Sequence, residues 1–224
     1  MKIYLKNGDE LQLDDGAKSI DAAKAISDSL ARNAVAVKIN GKLCDLSAPL
    51  SAGDKVEFVT LKDKEGMEVY RHTCAHVLAQ AVKTIFPTCK LAIGPVIENG
   101  FYYDIDFNTP ITQDDFDKIE AEMQKIIKAN TPIERFELSR KEAIELMSEY
   151  KEKYKVELIN DLPEDAVISF YRQGSFTDLC RGPHLPSTGR IKAFKLVSIA
   201  GAYWRGNEKN KMLTRIYGVA FAKK

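Results

Sequence analysis

The sequence predicts an α+β protein in two parts, a small amino-terminal β-grasp unit followed by a larger α+β domain. Three observations carry that prediction. Short alternating stretches meet at turn-forming residues near the amino terminus, and a polar run, Lys62-Asp63-Lys64-Glu65-Gly66, interrupts the chain. From residue 69 onward, helical apolar spacing gives way to β-like runs broken by glycine and proline.

Residues 2–5 and 11–13 alternate around Asn7-Gly8-Asp9-Glu10, a hairpin signal. Residues 20–30 carry apolar side chains at helical spacing. Residues 34–39 and 43–46 flank Asn40-Gly41, a dipeptide favoured where both turn residues need positive φ, and residues 55–59 add a strand. Two hairpins, one helix and a further strand in about 60 residues make a β-grasp pattern, with the helix packed across a small mixed sheet. The polar run at 62–66 reads as a linker and divides the chain into domains 1–62 and 63–224.

Beyond the linker, residues 69–86 are predicted helical. Ala75, Leu78, Ala79, Val82 and Phe86 form a stripe at i, i+3, i+4, i+7 and i+11, and Pro87 ends it. Strands are expected over 91–97 and 101–107, around Glu98-Asn99-Gly100. Two helices each open with a capping box, Thr112 with Asp115 and Ser139 with Glu142, and 132–138 lies between them as a strand. From Val156 onward the chain reads as short β-like runs, such as 167–171 and 194–199.

At 224 residues, with 45% hydrophobic and 29% charged residues, the chain has the composition of an ordinary globular protein. No apolar stretch approaches the roughly 20 residues that cross a bilayer, and the opening Met1-Lys2-Ile3-Tyr4 is strand-like, so no membrane association and a cytoplasmic location are expected. Four scattered cysteines do not suggest a disulfide framework; Cys44 and Cys89 read as small buried residues. Net charge near +1 hides an asymmetry. Residues 186–224 carry nine Lys or Arg against Glu208 alone, whereas residues 98–122 carry eight acids against Lys118. With Tyr203, Trp204 and Tyr217 interleaved, the basic segment suits a phosphate backbone and unpaired bases; a solvated basic surface suits the charge equally well.

The chemistry concentrates in two clusters. All three histidines lie in His72-Thr73-Cys74-Ala75-His76 and in Cys180-Arg181-Gly182-Pro183-His184, with Asp178 just upstream of the second. His72 and His76, four apart on a helix, lie one above the other at the edge of the stripe and can face a cleft together. A zincin is disfavoured, because that motif needs a glutamate after the first histidine. Gly182-Pro183 breaks any helix, so Cys180 and His184 sit on a loop. Together the two clusters offer three nitrogens and one sulfur, a tetrahedral zinc set; the alternative is that the histidines are satisfied core residues and Cys180 a small buried one. Lys155 reads by default as a surface lysine at a strand edge, but beside neutral histidines in a dry cleft it would share proton transfer. Tyr103 and Asp178 matter only if they lie near the histidines.

These residues closely resemble the amino-terminal part of the bacterial threonyl-tRNA synthetase family, in order and over the whole chain. Residues 1–62 resemble its TGS domain. Its editing domain, the second additional domain type shared with alanyl-tRNA synthetases, is resembled by Arg71-His72-Thr73-Cys74-Ala75-His76-Val77-Leu78-Ala79, Ile93-Gly94-Pro95 and Gly100-Phe101-Tyr102-Tyr103-Asp104. Asp178-Leu179-Cys180-Arg181-Gly182-Pro183-His184 and Met212-Leu213-Thr214-Arg215-Ile216-Tyr217-Gly218 continue the match.

The resemblance implies an ester hydrolase that removes serine mistakenly attached to tRNA(Thr), with the 3′ acceptor end of that tRNA as partner. It implies catalytic roles for His72, Lys155, His76, Cys180 and His184, and substrate binding by Asp178, Tyr103 and Arg181. It implies editing without a metal, with His72, His76, Cys180 and His184 as the alternative zinc set, the use to which alanyl-type domains put such residues. The aminoacylation core, with its ATP, Mg and Zn, would follow residue 224, so this region is expected to edit tRNA but not charge it, and to be a monomer where the full-length family is dimeric. Two other readings remain open at this level: a non-catalytic tRNA-binding module, and a zinc hydrolase of a small substrate.

Overall fold

A computed structural model describes residues 1–223, and its contacts divide the chain into two compact units. The first comprises Met1–Tyr70 together with Gly182–Pro186. The second comprises residues 71–181 and 187–223.

The first unit is built on strands β1 (Lys2–Leu5), β2 (Glu10–Gln12), β3 (Ala34–Ile39), β4 (Lys42–Cys44) and β5 (Lys55–Thr60). They form one mixed sheet in the order β2-β1-β5-β3-β4, in which β1 and β5 run parallel and every other pair is antiparallel. Asn40 and Gly41 both take positive φ, 51° and 83°, as the second hairpin requires. Ile3, Val37 and Val56 from the sheet pack with Ala22 of the helix across it, and with Leu46 and Leu50. This is the β-grasp arrangement expected.

The helix differs in one respect from the single run expected over 20–30. It is two pieces, α1 (Ser19–Ile26) and α2 (Asp28–Asn33), broken at Ser27, whose backbone is extended and whose hydroxyl accepts the Leu30 N–H at 3.0 Å. Serine is a strong N-cap, and here its side chain starts a new helix inside an otherwise continuous apolar pattern. Cys44 is only partly buried, whereas Cys89 of the second unit is buried as expected.

The polar run is not an open linker. Helix α3 (Lys64–Ile85) begins within it, and Asp63 turns its carboxylate back to the Thr60 N–H at 2.7 Å. Gly66 is required by proximity: a Cβ there would lie 1.9 Å from the Thr60 carbonyl oxygen.

In the second unit residues 73–79 of α3 are all buried. Cys74, Ala75, Val77, Leu78, Ala79, Ala81 and Val82 are all fully buried, so the stripe seen in the sequence is only one of its apolar faces. Two antiparallel sheets and three further helices follow. One sheet has the order β12-β13-β8-β6, from β12 (Ala193–Tyr203), β13 (Met212–Phe221), β8 (Gly100–Asp106) and β6 (Lys90–Leu91), and β7 (Val96–Ile97) also pairs with β8. The other has the order β11-β10-β9, from β11 (Phe176–Leu179), β10 (Ile168–Gln173) and β9 (Ile133–Leu138). The single strand expected over 91–97 is therefore two short pieces, separated where Gly94 crosses the Tyr103 ring.

Both capping boxes form. Thr112 opens a short 3₁₀ turn that leads into α4 (Phe116–Ala129), and Ser139 opens α5 (Arg140–Glu149). One helix was not expected. Residues Lys153–Asn160, which alternate like a strand, form α6.

The charge asymmetry has a structural meaning. Because β13 lies antiparallel to β8, Arg215 faces Asp104 and binds it through two bonds of 2.7 and 2.9 Å, with its guanidinium stacked on Tyr102. Lys211 pairs with Asp106 and Lys195 with Glu120. Three of the nine bases thus pair with three of the eight acids. Trp204 is no platform for bases: it is 6% exposed and donates its indole N–H to Glu157 at 2.8 Å. Among the described residues no helix is long and apolar enough to cross a membrane.

Gly66→Ala tests the closeness of α3 to β5. Alanine normally stabilises a helix interior over glycine by about 1 kcal/mol. Here the added methyl meets backbone, so a loss of about 1–3 kcal/mol is expected in urea unfolding, and a gain would contradict this packing.

Candidate active site

Four elements of the second unit converge on one buried cluster. Helix α3 supplies His72 and His76, made neighbours by their i, i+4 spacing, with rings 5.1 Å apart and nearly perpendicular. Strand β8 supplies Tyr103, α6 supplies Lys155, and β11 supplies Asp178, with Cys180 immediately after the strand's end. The Cys180 Sγ lies 3.4 Å from His72 Nε2. The two remote stretches of sequence therefore meet.

Behind that contact lies a chain of hydrogen bonds. Lys155 Nζ is 2.8 Å from Asp178 Oδ1 and donates to the Tyr103 hydroxyl at 3.0 Å; that hydroxyl donates to Asp178 Oδ2 at 2.6 Å. His76 Nδ1 stands 3.7 Å from the same oxygen. Tyr103, Asp178, His76 and Lys155 are 1%, 2%, 4% and 4% exposed. Lys155 is thus a buried helical residue, not the strand-edge surface lysine of the default reading.

The electrostatics follow from this burial. Desolvation pushes the His76 imidazole down to about 3, against the pull of Asp178, so the ring is neutral near pH 7. Burial alone would raise Asp178, but the Lys155 ammonium, then His76 and the hydrogen bonds from Lys155 and Tyr103, hold its carboxyl below the usual range. Burial and the adjacent carboxylate keep the Tyr103 phenol protonated, and therefore a donor.

Local packing fixes these groups. A Cβ at Gly94 would lie 2.3 Å from the Tyr103 ring, so only glycine lets that segment cross it. On either side the backbone is tied, Asp104 N–H to Ile93 and Tyr102 N–H to Pro95. Ser169 holds Cys180 twice, accepting its N–H at 3.0 Å and donating its hydroxyl to its carbonyl at 2.6 Å. Gln173, the last residue of β10, donates to the His76 carbonyl at 3.3 Å and to Gln80 at 2.7 Å. Nothing in the sequence marks Ser169 or Gln173, since each lies in a plain β-like run.

Arg181 is exposed. With Cys180 it edges a hollow of about 420 Å³ that Leu158, Leu162, Ile168 and Ser169 also line. His184 is buried within the first unit, where its backbone N–H donates to Asp45 at 2.9 Å.

The donor set suits a metal. His72, His76 and Cys180 offer ligand atoms within 4.8 Å of one another. Zinc bonds of about 2.0–2.3 Å in a tetrahedron place neighbouring ligand atoms roughly 3.5 Å apart, close to the spacing of Cys180 and His72.

Comparison with known proteins agrees with both halves of the chain. The TGS domain family matches residues 1–60, and the family described as the threonyl and alanyl tRNA synthetase second additional domain matches residues 168–217. The chain thus joins a TGS-type β-grasp unit to a region matched by a domain family of threonyl and alanyl tRNA synthetases. All 224 residues align at 58% identity with the threonine–tRNA ligase of Desulforamulus reducens. The enzyme of Clostridioides difficile is 57% identical over 223 residues and that of Clostridium kluyveri 56% over 224. The chain is thus homologous throughout to the amino-terminal region of threonine–tRNA ligases, and it spans 35% of the length of these relatives.

Asp178→Asn tests the ionisation of the buried pair. The folded carboxyl is held below its unfolded value of about 3.9, so its charge contributes stability above that pH and the contribution fades as pH falls through the folded value. Removing one partner of a buried pair is expected to cost about 3–5 kcal/mol at pH 7. In urea unfolding that deficit should begin to narrow below about pH 4; a deficit unchanged between pH 7 and pH 3 would refute an ionised Asp178.

Proposed function

We propose that residues 63–224 form an editing domain that hydrolyses the ester linking serine to mischarged tRNA(Thr), and that residues 1–62 form its TGS domain. The observation that supports this reading is the buried Lys155–Tyr103–Asp178–His76 chain, which ends beside the His72–Cys180 contact. It combines a fixed carboxylate, a buried ammonium within hydrogen-bonding reach of it and a neutral imidazole 3.7 Å from it.

The need for such a site is energetic. A synthetic pocket sized for threonine loses only about 1–3 kcal/mol of discrimination when serine arrives without the methyl group, so a second sieve must remove the error. An editing pocket that fits serine closely refuses threonine by sterics at the β-carbon.

Hydrolysis requires a positioned water, a stabilised oxyanion and a proton for the departing ribose oxygen. His72 and Lys155 position the water and transfer protons. Asp178 receives the substrate α-ammonium, a role for which its ionised state is suited, and Tyr103 orients that carboxylate. His76, Cys180 and His184 shape the pocket and supply hydrogen bonds. The terminal nucleoside lies along the hollow beside Cys180, with Arg181 at its rim for the phosphate. In the cytoplasm, joined to the remainder of a full-length relative, the domain serves an enzyme that ligates threonine to tRNA(Thr) with ATP; ATP, Mg and the Zn of that reaction belong to the aminoacylation core.

A second reading is favoured by the ligand spacing described above for His72, His76 and Cys180: with His184 completing the set that the sequence offers, they would hold zinc, which would supply Lewis-acid activation of water. The metal-free reading is preferred, because Asp178 directs its charge to Lys155 and Tyr103 at hydrogen-bonding distance and only more distantly to His76.

Seryl-tRNA(Thr) incubated with the protein should release serine, and threonyl-tRNA(Thr) should resist. His72→Ala and Lys155→Ala should each lower kcat by about 100-fold or more; wild-type turnover in either would remove that residue from the scheme. Protein purified without a metal-affinity step should hold no stoichiometric zinc and keep its activity in chelator. One zinc per chain, lost in His76→Ala, would reverse the choice of mechanism.

A further inference from the structure

Glu152 is a buried carboxylate, 5% exposed, that the hydrolytic scheme does not use. Its Oε1 accepts from the Lys83 ammonium and its Oε2 from the Leu91 backbone N–H at 2.8 Å. Lys83 donates further to the Cys89 carbonyl at 2.6 Å. The backbone carbonyl of Glu152 accepts the N–H groups of Lys155 at 3.0 Å and Val156 at 3.1 Å, and its own N–H donates to Met147 at 2.8 Å.

One residue therefore ties together the elements that bear the site. Lys83 lies on α3 about two turns beyond His76. Leu91 belongs to β6, which pairs with β8 opposite Ile105, two residues from Tyr103. Glu152 itself is the N-cap of α6, three residues before Lys155, and it makes no side-chain bond to its own helix. Its carboxylate is directed across to α3 and β6 instead. A helix of eight residues is too short to be set by propensity, so such ties determine where it lies.

We propose that Glu152 and Lys83 form a positioning pair for Lys155, setting the reach of its ammonium toward Tyr103 and Asp178. The tolerance is narrow. From contacts of 2.8 and 3.0 Å, a displacement of α6 by about 1 Å carries the ammonium beyond hydrogen-bonding distance of both partners, and a misplacement of that size costs about 100-fold in an enzyme rate. The proposal rests on the hydrolytic role assigned to Lys155.

Steady-state hydrolysis of seryl-tRNA(Thr) by the full chain tests it. Glu152→Gln keeps an acceptor for the Leu91 N–H, and Lys83→Met keeps an unbranched stem of similar length; each should lower kcat about tenfold or more with KM changed less than about twofold. Lys83→Arg, which retains the charge, should recover most of the rate. In a Lys155→Ala background, Glu152→Gln should leave the residual rate within about twofold, because its effect runs through Lys155. If Glu152→Gln does not fold, Lys83→Met carries the test, since that side chain is already 23% exposed.

Wild-type kcat in both Glu152→Gln and Lys83→Met, with Lys155→Ala impaired, would overturn the positioning role and leave the hydrolytic scheme standing. So would an undiminished loss from Glu152→Gln in the Lys155→Ala background, which would mark a structural role only. Wild-type turnover by Lys155→Ala would overturn both.

Discussion

The second unit is organised around one buried ion pair, Lys155 with Asp178 at 2.8 Å. Taking an ammonium and a carboxylate out of water costs several kcal/mol per ion, and their attraction offsets this only when geometry is good and the remaining lone pairs are used. Tyr103 uses one of them at 2.6 Å and His76 approaches the same oxygen. That requirement forces α6, β8, β11 and α3 to arrive at one place within a few tenths of an ångström. Each arrival is secured away from the site. Both ends of α6 are held, the first by the Glu152 ties and the last by Arg140, which donates to the carbonyls of Ile159, Leu162 and Pro163. The Tyr154 hydroxyl fixes the same helix to Asp106 at 2.8 Å, and the Trp204 indole fixes it to Glu157.

This placement explains a division of labour among charges. The acids of residues 98–122 and the bases of residues 186–224 are far apart in sequence but adjacent in the sheet, and β8 against β13 brings Asp104 to Arg215. The sequence alone shows the asymmetry and not its pairing, since register is decided by which apolar face each strand must bury. Part of the basic tail is therefore the partner of acids on β8 and α4, through Arg215, Lys211 and Lys195. The exposed Arg181 stands apart from that pairing.

What was legible in the chain followed local rules. Asn40-Gly41, the Thr112 and Ser139 capping boxes and the α3 periodicity each act through neighbours within a few residues, and each forms. Failures occurred where distant contacts override local pattern. Tyr154-Lys155-Val156-Glu157-Leu158 alternates like a strand, yet folds as a helix because Tyr154 and Lys155 have buried polar partners and Glu157 meets Trp204. The run at 62–66 is polar enough for a linker, but Gly66 lets the helix begin against the Thr60 carbonyl. The histidine and cysteine motifs announced a site by their rarity. Gln173, Ser169 and Glu152 support it without any such signal, because a glutamine, serine or glutamate in an ordinary run is recognisable only by what it touches.

The same buried pair bears on how the imidazoles are used. A histidine that binds zinc through one nitrogen commonly gives its other N–H to a carboxylate, which raises its basicity as a ligand. Asp178 stands where such a carboxylate would stand for His76, at 3.7 Å from Nδ1. Its nearest partners, however, are a full ammonium and a phenol, both closer than the imidazole. A cation held by the same side chains would also be repelled by the Lys155 ammonium, whose charge already acts on His76, in a medium where charges are weakly screened. With Lys155 present, the cluster balances one positive and one negative group and leaves His76 neutral. Lys155 is therefore the residue on which the choice between metal-ligand and hydrogen-bonding chemistry turns.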